Sequence, residues 1–381
     1  MSDIFTSSLL AKAWQGRFDK ELKGANLDSL ISRNPAEEFS IFPYFTSENQ
    51  ERHDLSGILP EKADAYWEQV YPVYTETSNE QIIEALNFGS NSLYVAQITP
   101  HLSKQLDKVQ LDYIHCHFHV QDEQALQTLH SYLTKTNQNQ FKGTVCTSSS
   151  SLIKNVASHF PNQASVEVNT CSFHLNGANI IFETALALAL GKEYLQNSGP
   201  SPRFIFSVGT DYFLELAKFR SFRLLWANIA NRYSVSPIAN IQAETSQREC
   251  TQIDTDTNIL RLTTMAMAAL AGTANALVVH PPGTENINTQ RIAFNVQNIL
   301  REESLFGKLS DPGFGAYYIE QITSLLLEQI WSKFLWIESQ GGFTNALKNG
   351  HIEKEIKRIN TLRNQALSEG SLVKIGINKY Q

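Results

Sequence analysis

The run VEVNTCSFHLNGANIIFETALALALGKEYLQNSGPSPRFIFSV, Val166 to Val208, holds one complete strand–helix–strand unit. Val166 to Phe173 is a short apolar stretch of β-prone residues, and Phe204 to Val208 is another. Between them the period lengthens to 3.6: Ile181, Ala185 and Ala189 stack at i, i+4, as do Phe182, Leu186 and Leu190. Two strands joined by a crossover helix pair in parallel, because a parallel connection has to return across the sheet.

The same switch of period repeats on either side. Ser92 to Gln97, Val109 to Val120 and Phe141 to Thr147 read as earlier strands, and Ile238 to Ala243 and Ala276 to His280 as later ones. An eighth is expected near Leu305 to Leu309. Eight strands alternating with helices over about 250 residues predict an α/β protein, a (β/α)8 TIM barrel spanning 81–311, with an open doubly wound sheet as the alternative. Residues 1–80, interrupted by Pro35, Pro43, Pro60 and Pro72, read as an N-terminal arm. Residues 312–381 read as a C-terminal helical layer: Ile319 to Ile337 is rich in Leu, Ile and Trp, Gly341-Gly342 is a stop, and Ile352 to Ala366 is a charged helix.

Composition narrows the function. Of 381 residues 42% are hydrophobic, and 31 Lys and Arg face 38 Asp and Glu without long runs of one sign. The net charge of -7 leaves no footprint for nucleic acid or an anionic membrane, so neither is expected as a partner. The N-terminus lacks a signal-peptide pattern, and no apolar stretch reaches the roughly 18 residues that span a bilayer. Cys116, Cys146, Cys171 and Cys250 stand apart with no CxxC pair, as buried hydrophobes do in a reducing compartment. The expected location is cytoplasmic.

Several residues are candidates for chemistry. His115, His117 and His119 alternate along one strand, so period two puts the three imidazoles on one face, where they could hold a metal in the manner of amidohydrolase barrels. Polar side chains layered inside a barrel strand explain the same pattern, and the later strand ends offer only His174, His280 and Asp211 to complete a ligand set. Thr147 to Ser151 supplies hydroxyls at a strand end, as any polar loop does. Neither GxGxxG, GxxxxGK[ST] nor GxSxG occurs. His174 and Glu244 follow strands at the end where barrels place reactive groups, one a candidate donor to a carbonyl and the other a candidate acid or base.

Phe206-Ser207-Val208-Gly209-Thr210-Asp211-Tyr212-Phe213-Leu214-Glu215-Leu216-Ala217-Lys218-Phe219-Arg220, continued by Arg223-Leu224-Leu225-Trp226-Ala227, resembles the strand-plus-helix signature of the methylmalonyl-CoA mutase family. Further matches follow in order: Glu244-Thr245-Ser246, NVQNILREES from Asn295 to Ser304, Asp311-Pro312, Gly315 to Glu320, Gly341-Gly342 and the closing GINKY. Glu21-Leu22-Lys23-Gly24 and Phe42-Pro43-Tyr44-Phe45-Thr46 resemble the family's opening, so the likeness covers nearly the whole chain. It implies a (β/α)8 barrel along which an acyl-CoA is threaded. It also implies adenosylcobalamin held against the barrel mouth by a separate domain, for the radical rearrangement of methylmalonyl-CoA and succinyl-CoA.

The departures from that pattern are as informative. Where active subunits carry a Tyr-His pair after the fourth strand this chain has Phe173-His174, and where they carry His-Ser-Gln-Thr-Ser it has Gln242-Ala243-Glu244-Thr245-Ser246. The stretch Cys146 to Phe160 holds Lys154 but no arginine for the substrate carboxylate. Trp67-Glu68-Gln69-Val70-Tyr71 lacks the arginine expected shortly after the tryptophan. A carboxylate without its bidentate arginine loses about 1.5 to 3 kcal/mol of binding. No DxHxxG supplies a lower axial histidine, and the sequence reaches Gln381 where the family's linker to the cobalamin domain begins.

The resemblance therefore implies the family's small (beta), noncatalytic subunit, with no intact catalytic residue and a vestigial acyl-CoA site at Phe173, His174, Gln242 and Glu244. The expected partner is a catalytic large subunit that holds the adenosylcobalamin; this chain alone binds no cofactor and forms a homodimer when isolated. The rival reading is an active barrel subunit of an acyl-CoA mutase that takes cobalamin from a separate chain. A metal-dependent hydrolase built on the three histidines is a distant third.

Overall fold

The computed structural model describes residues 7–21, 23, 31–42, 45, 52–59, 67–138, 140–197 and 200–380. Parts of the predicted arm, including Leu22, Gly24, Pro43, Tyr44, Thr46 and Pro60, lie outside the described residues. Within the arm, α1 (Ser7–Glu21) precedes an antiparallel ribbon of β1 (Ser32–Asn34) and β2 (Phe39–Ile41).

Strands and helices then alternate: β3 (Glu68–Val73), α2 (Asn79–Asn87), β4 (Ser92–Val95), α3 (Leu102–Gln105), β5 (His115–His119), α4 (Glu123–Thr136), β6 (Lys142–Thr147) and α5 (Ile153–His159). They continue through β7 (Ala164–Asn169), α6 (Cys171–Leu175), α7 (Ile180–Gln196), β8 (Pro202–Val208), α8 (Tyr212–Arg232), β9 (Asn240–Thr245), α9 (Thr257–Ala271), β10 (Ala276–Val278) and α10 (Ile287–Glu302). Each strand from β3 onward pairs in parallel with its successor, and β10 pairs with β3, setting Ala276 opposite Glu68. The architecture is a closed (β/α)8 barrel.

The eighth strand is not where the sequence suggested it. Leu305 to Leu309 lies in turns, with both leucines exposed. The missing strand is β3, inside the segment assigned to the arm, so the barrel begins at Glu68. Pro72 and the polar Glu68 and Gln69 disguise it, whereas the structure buries Val70, Tyr71 and Val73 between two parallel neighbours. Two other strands are shorter than read: residues 109–114 precede β5, and β7 ends at Asn169, so Phe173 and His174 stand on the short helix α6.

Helix ends follow local chemistry. Asp122 starts α4 by accepting from the backbone N–H of Ala125 at 2.8 Å. Replacing Asp122 by Ala is expected to cost about 1 kcal/mol in chemical denaturation, the usual value of such a cap. Gly143 on β6 has φ +129°, and a Cβ there would lie 1.9 Å from the carbonyl oxygen of Cys116, so only glycine lets β5 and β6 approach.

The barrel strands pack outward on their helices, while a small apolar group of Val70, Tyr94, Ile205, Ala276 and Val278 lies inside. Beyond α10 come α11 (Tyr317–Ser339), α12 (Phe343–Lys348) and α13 (His351–Glu369). Helix α11 buries Ile322, Leu326, Ile330 and Phe334, one face at i+4 spacing, against α7 and α8. At roughly 1.5 to 3 kcal/mol per buried side chain, that stripe ties the helical layer to the barrel.

Candidate functional site

Successive strand residues face opposite sides of the sheet, so alternate positions on each strand line the barrel axis. On β8 these are Arg203, Ile205 and Ser207; on β5, the three histidines. The axis is crossed by side chains. Arg203 donates from Nη2 to Oε1 of Gln242 on β9, and its guanidinium carbon lies 5.6 Å from the ring centroid of Tyr94 on β4, the strand facing β8. The Tyr94 hydroxyl donates to Glu167 on β7, 2.9 and 2.8 Å from the two carboxylate oxygens, and the Cys146 thiol reaches the same carboxylate at 3.2 Å. Burial, and then Glu167, push the Tyr94 phenol well above its ordinary value.

The histidine strand is part of this filling. Glu68 accepts from Nε2 of His117 at 2.7 Å and from Ser92 at 2.8 Å. Nδ1 of His117 lies 2.9 Å from Oγ1 of Thr144, so with its proton on Nε2 the imidazole accepts there. Burial, reinforced by Arg203, lowers His117 to about 4, and the ring is neutral at pH 7. Burial opposes the charge on Glu68, but His117 and Arg203 outweigh it and hold the carboxyl far below its usual range. His115 faces Glu68 at 3.5 Å, and His119 contacts the Ala96 carbonyl and Ser148. Each histidine thus has a partner in the fold, His115 and His117 sharing Glu68, and among the described residues no three His, Cys, Asp or Glu side chains are placed to share a metal ion.

The four residues of the expected acyl-CoA site divide into three places. Gln242 and Glu244 are joined directly, Nε2 of the amide donating at 2.7 Å, and Glu244 faces Nε2 of His280 at 3.6 Å. His174 is buried apart from them, with Nε2 2.8 Å from Oγ of Ser246 and Nδ1 3.6 Å from Oε2 of Glu183, just too far for a hydrogen bond. Burial, aided by Arg248, lowers it to about 4. Phe173 turns toward α12, where its ring meets Phe343 edge-on at 6.0 Å. It takes no part in the axis.

Behind His174 lies a charge network that sequence reasoning missed. Lys218 of α8 is fully buried, with Nζ 2.6 Å from Oε2 of Glu215 and 3.5 Å from Oε2 of Glu183, and it donates to the Ser207 carbonyl at 2.5 Å. Burial alone would lower Lys218, but Glu183 and Glu215 outweigh it and raise it. Burial likewise opposes ionisation of Glu183, yet Lys218 first and then His174 bring it down to about 2. Glu215 also caps the β8 turn by accepting from the Gly209 N–H at 2.6 Å. Further along α8, Arg220 binds Asp311 and Glu320, and Arg223 donates to Thr273, the Ala239 carbonyl and Asn275. The charged residues of the Phe206 to Arg223 stretch hold strand ends and helices together; none faces the axis. A lysine and two arginines at i, i+2 and i+5, interleaved with Phe219, Phe222, Leu224 and Leu225 on one helix, were the available signal.

Comparison with known proteins agrees with this architecture. The sequence model of the family described as methylmalonyl-CoA mutase matches residues 127–381. The methylmalonyl-CoA mutase small subunit of Porphyromonas gingivalis is 27% identical, over 97% of this chain and 69% of that protein. The mitochondrial methylmalonyl-CoA mutases of Bos taurus and Homo sapiens are each 30% identical over 59% of this chain, an alignment that covers 32% of their own length. With the family's model extending over more than half of its residues, on a closed eight-stranded barrel, the chain belongs to the methylmalonyl-CoA mutase family.

Proposed function

We propose that this chain is the barrel of a small, noncatalytic subunit that supports a catalytic large subunit in interconverting methylmalonyl-CoA and succinyl-CoA. The observation that carries the reading is the filled axis. An acyl-CoA threaded along the barrel would have to displace the Arg203–Tyr94 stack and the Tyr94–Glu167 bonds, and leave charges buried without partners. The ordinary state of a barrel interior is a packed core, and here polar side chains cross it beside the apolar group around Ile205. Phe173, without a hydroxyl and turned to α12, offers nothing to a substrate carbonyl.

Neither His119 nor His174 offers a ligand to adenosylcobalamin. His119 and His174 direct both ring nitrogens at neighbours within the barrel, and neither is presented to a metal above it. No step is therefore routed through the cofactor on this chain, and the large subunit is its proposed holder. No helix among the described residues is long and apolar enough to cross a membrane, which accords with a cytoplasmic complex. In the absence of the large subunit, self-association through the shared family interface is proposed.

Reconstituted with its large subunit, the complex carrying His174→Gln is expected to turn over within about threefold of the unsubstituted one, since Gln keeps an acceptor for Ser246. A loss of turnover of about a hundredfold or more, with assembly intact by gel filtration, corresponds to nearly 3 kcal/mol of transition-state stabilisation. That outcome would mean an active site here and favour the reading with cobalamin from a separate chain.

A further inference from the structure

Away from the barrel axis, a cavity of about 300 Å³ opens where the Gly209–Asp211 turn, α9, α13 and the segment Leu372–Ile375 meet. One carboxylate there is surrounded by cations. Glu249, itself nearly inaccessible, accepts from Arg363 at 2.8 and 2.9 Å, from Lys374 at 2.9 Å and from Arg248 at 3.2 Å. These three charges hold the Glu249 carboxyl far below its usual range against the effect of burial. Arg261, also in the lining, donates to the neutral acceptors Oδ1 of Asn258 at 2.8 Å and the Ile375 carbonyl at 2.6 Å, and its acidic neighbour is the exposed Asp254. Four cations, Arg248, Arg261, Arg363 and Lys374, thus line the cavity beside Glu249.

The same lining carries Glu37, Asp211 and Glu215. Glu215 is matched by Lys218, and Asp211 accepts from Asn34 at 3.2 Å. Glu37 is pushed up to about 7 by burial, so it is neutral in much of the population at physiological pH. With Glu215 balanced by Lys218, four cations face Glu249, Glu37 and Asp211, and the surplus around the cavity is cationic. Around it stand aliphatic side chains that a charged surface would not ordinarily present: Leu260 is 70% exposed, Val373 49% and Ile375 44%. Cations alone would suit any anion; the aliphatic rim adds a preference for a carbon chain.

We propose that this cavity is a binding site for a small carboxylate with a short aliphatic body, its carboxylate on Arg261 and Arg363 and its carbon chain on Leu260 and Val373. The site lies outside the barrel axis, and its occupancy does not depend on whether that axis is catalytic. The full chain is titrated calorimetrically at fixed ionic strength with n-butyrate, and separately with inorganic phosphate. Butyrate is expected to bind saturably and at least about fivefold more tightly than phosphate, because only butyrate uses the rim. Arg261→Gln, which leaves the Glu249 clamp intact, is expected to weaken butyrate about tenfold, and Arg261→Lys less. Leu260→Ser is expected to weaken butyrate about threefold and leave phosphate unchanged. No saturable binding of butyrate, equal affinities for the two anions, or indifference to Arg261→Gln with the fold intact by circular dichroism each overturns the proposal.

Discussion

Lys218→Met destabilises the chain by about 3 to 5 kcal/mol or prevents folding altogether, the expected result of removing one partner from a buried charge cluster. The substitution keeps the length and apolar stem of the side chain but strips the ammonium from between Glu183 and Glu215, both of them buried. Two carboxylates then face each other without a counter-charge, and the Ser207 carbonyl loses its donor. Protonating them is the only relief, since burial already opposes their charge. Denaturant titration of Lys218→Met measures the loss, and adding Glu183→Gln should recover part of it. A loss below about 1 kcal/mol would show that the carboxyls are already neutral in the native protein.

Acid weakens the fold in a defined window. His117 and His174 have folded values of about 4 against an ordinary 6.5, so their contribution to stability is complete above pH 6.5 and is lost as pH falls through 4. Glu183, lowered to about 2, contributes fully above 4.5 and loses that contribution as pH falls through 2. Glu37 has the opposite sign: raised to about 7, it contributes below 4.5 and the contribution is lost as pH rises through 7. Burial also raises Asp211, Glu215 and Asp311, so they join Glu37 in partly offsetting the two histidines, and stability is expected to fall between pH 6.5 and 4 by less than the histidines alone would give, each tenfold difference in proton affinity being worth about 1.4 kcal/mol. Denaturant titrations at closely spaced pH values check this. His117→Gln should remove close to half of the histidine contribution, and an unchanged slope in that variant would place the acid sensitivity elsewhere.

The part of this protein that its sequence determined is the part encoded locally. A period that switches between two and 3.6 is a property of neighbouring residues, so the β/α alternation from Ser92 to Ala276, the i, i+4 stacking of α7 and the C-terminal helices were all legible. So was the family likeness in the Phe206 to Trp226 stretch. What local pattern cannot carry is which distant segment completes a surface. Strand β3 reads as part of an irregular arm, because Glu68, Gln69 and Pro72 look wrong for a buried strand until β10 and β4 close on either side of it. Three alternating histidines share a face in any strand, yet the partners that face meets, Glu68, Thr144 and Ser148, are contributed by other strands and the loop after β6. Phe173 and His174 are adjacent in sequence and lie on a helix, not a strand, so one turns to Phe343 and the other to Ser246 and Glu183. Barrel closure decided these points: it brings residues far apart in the chain into one low-dielectric interior, where a charge persists only beside its partner.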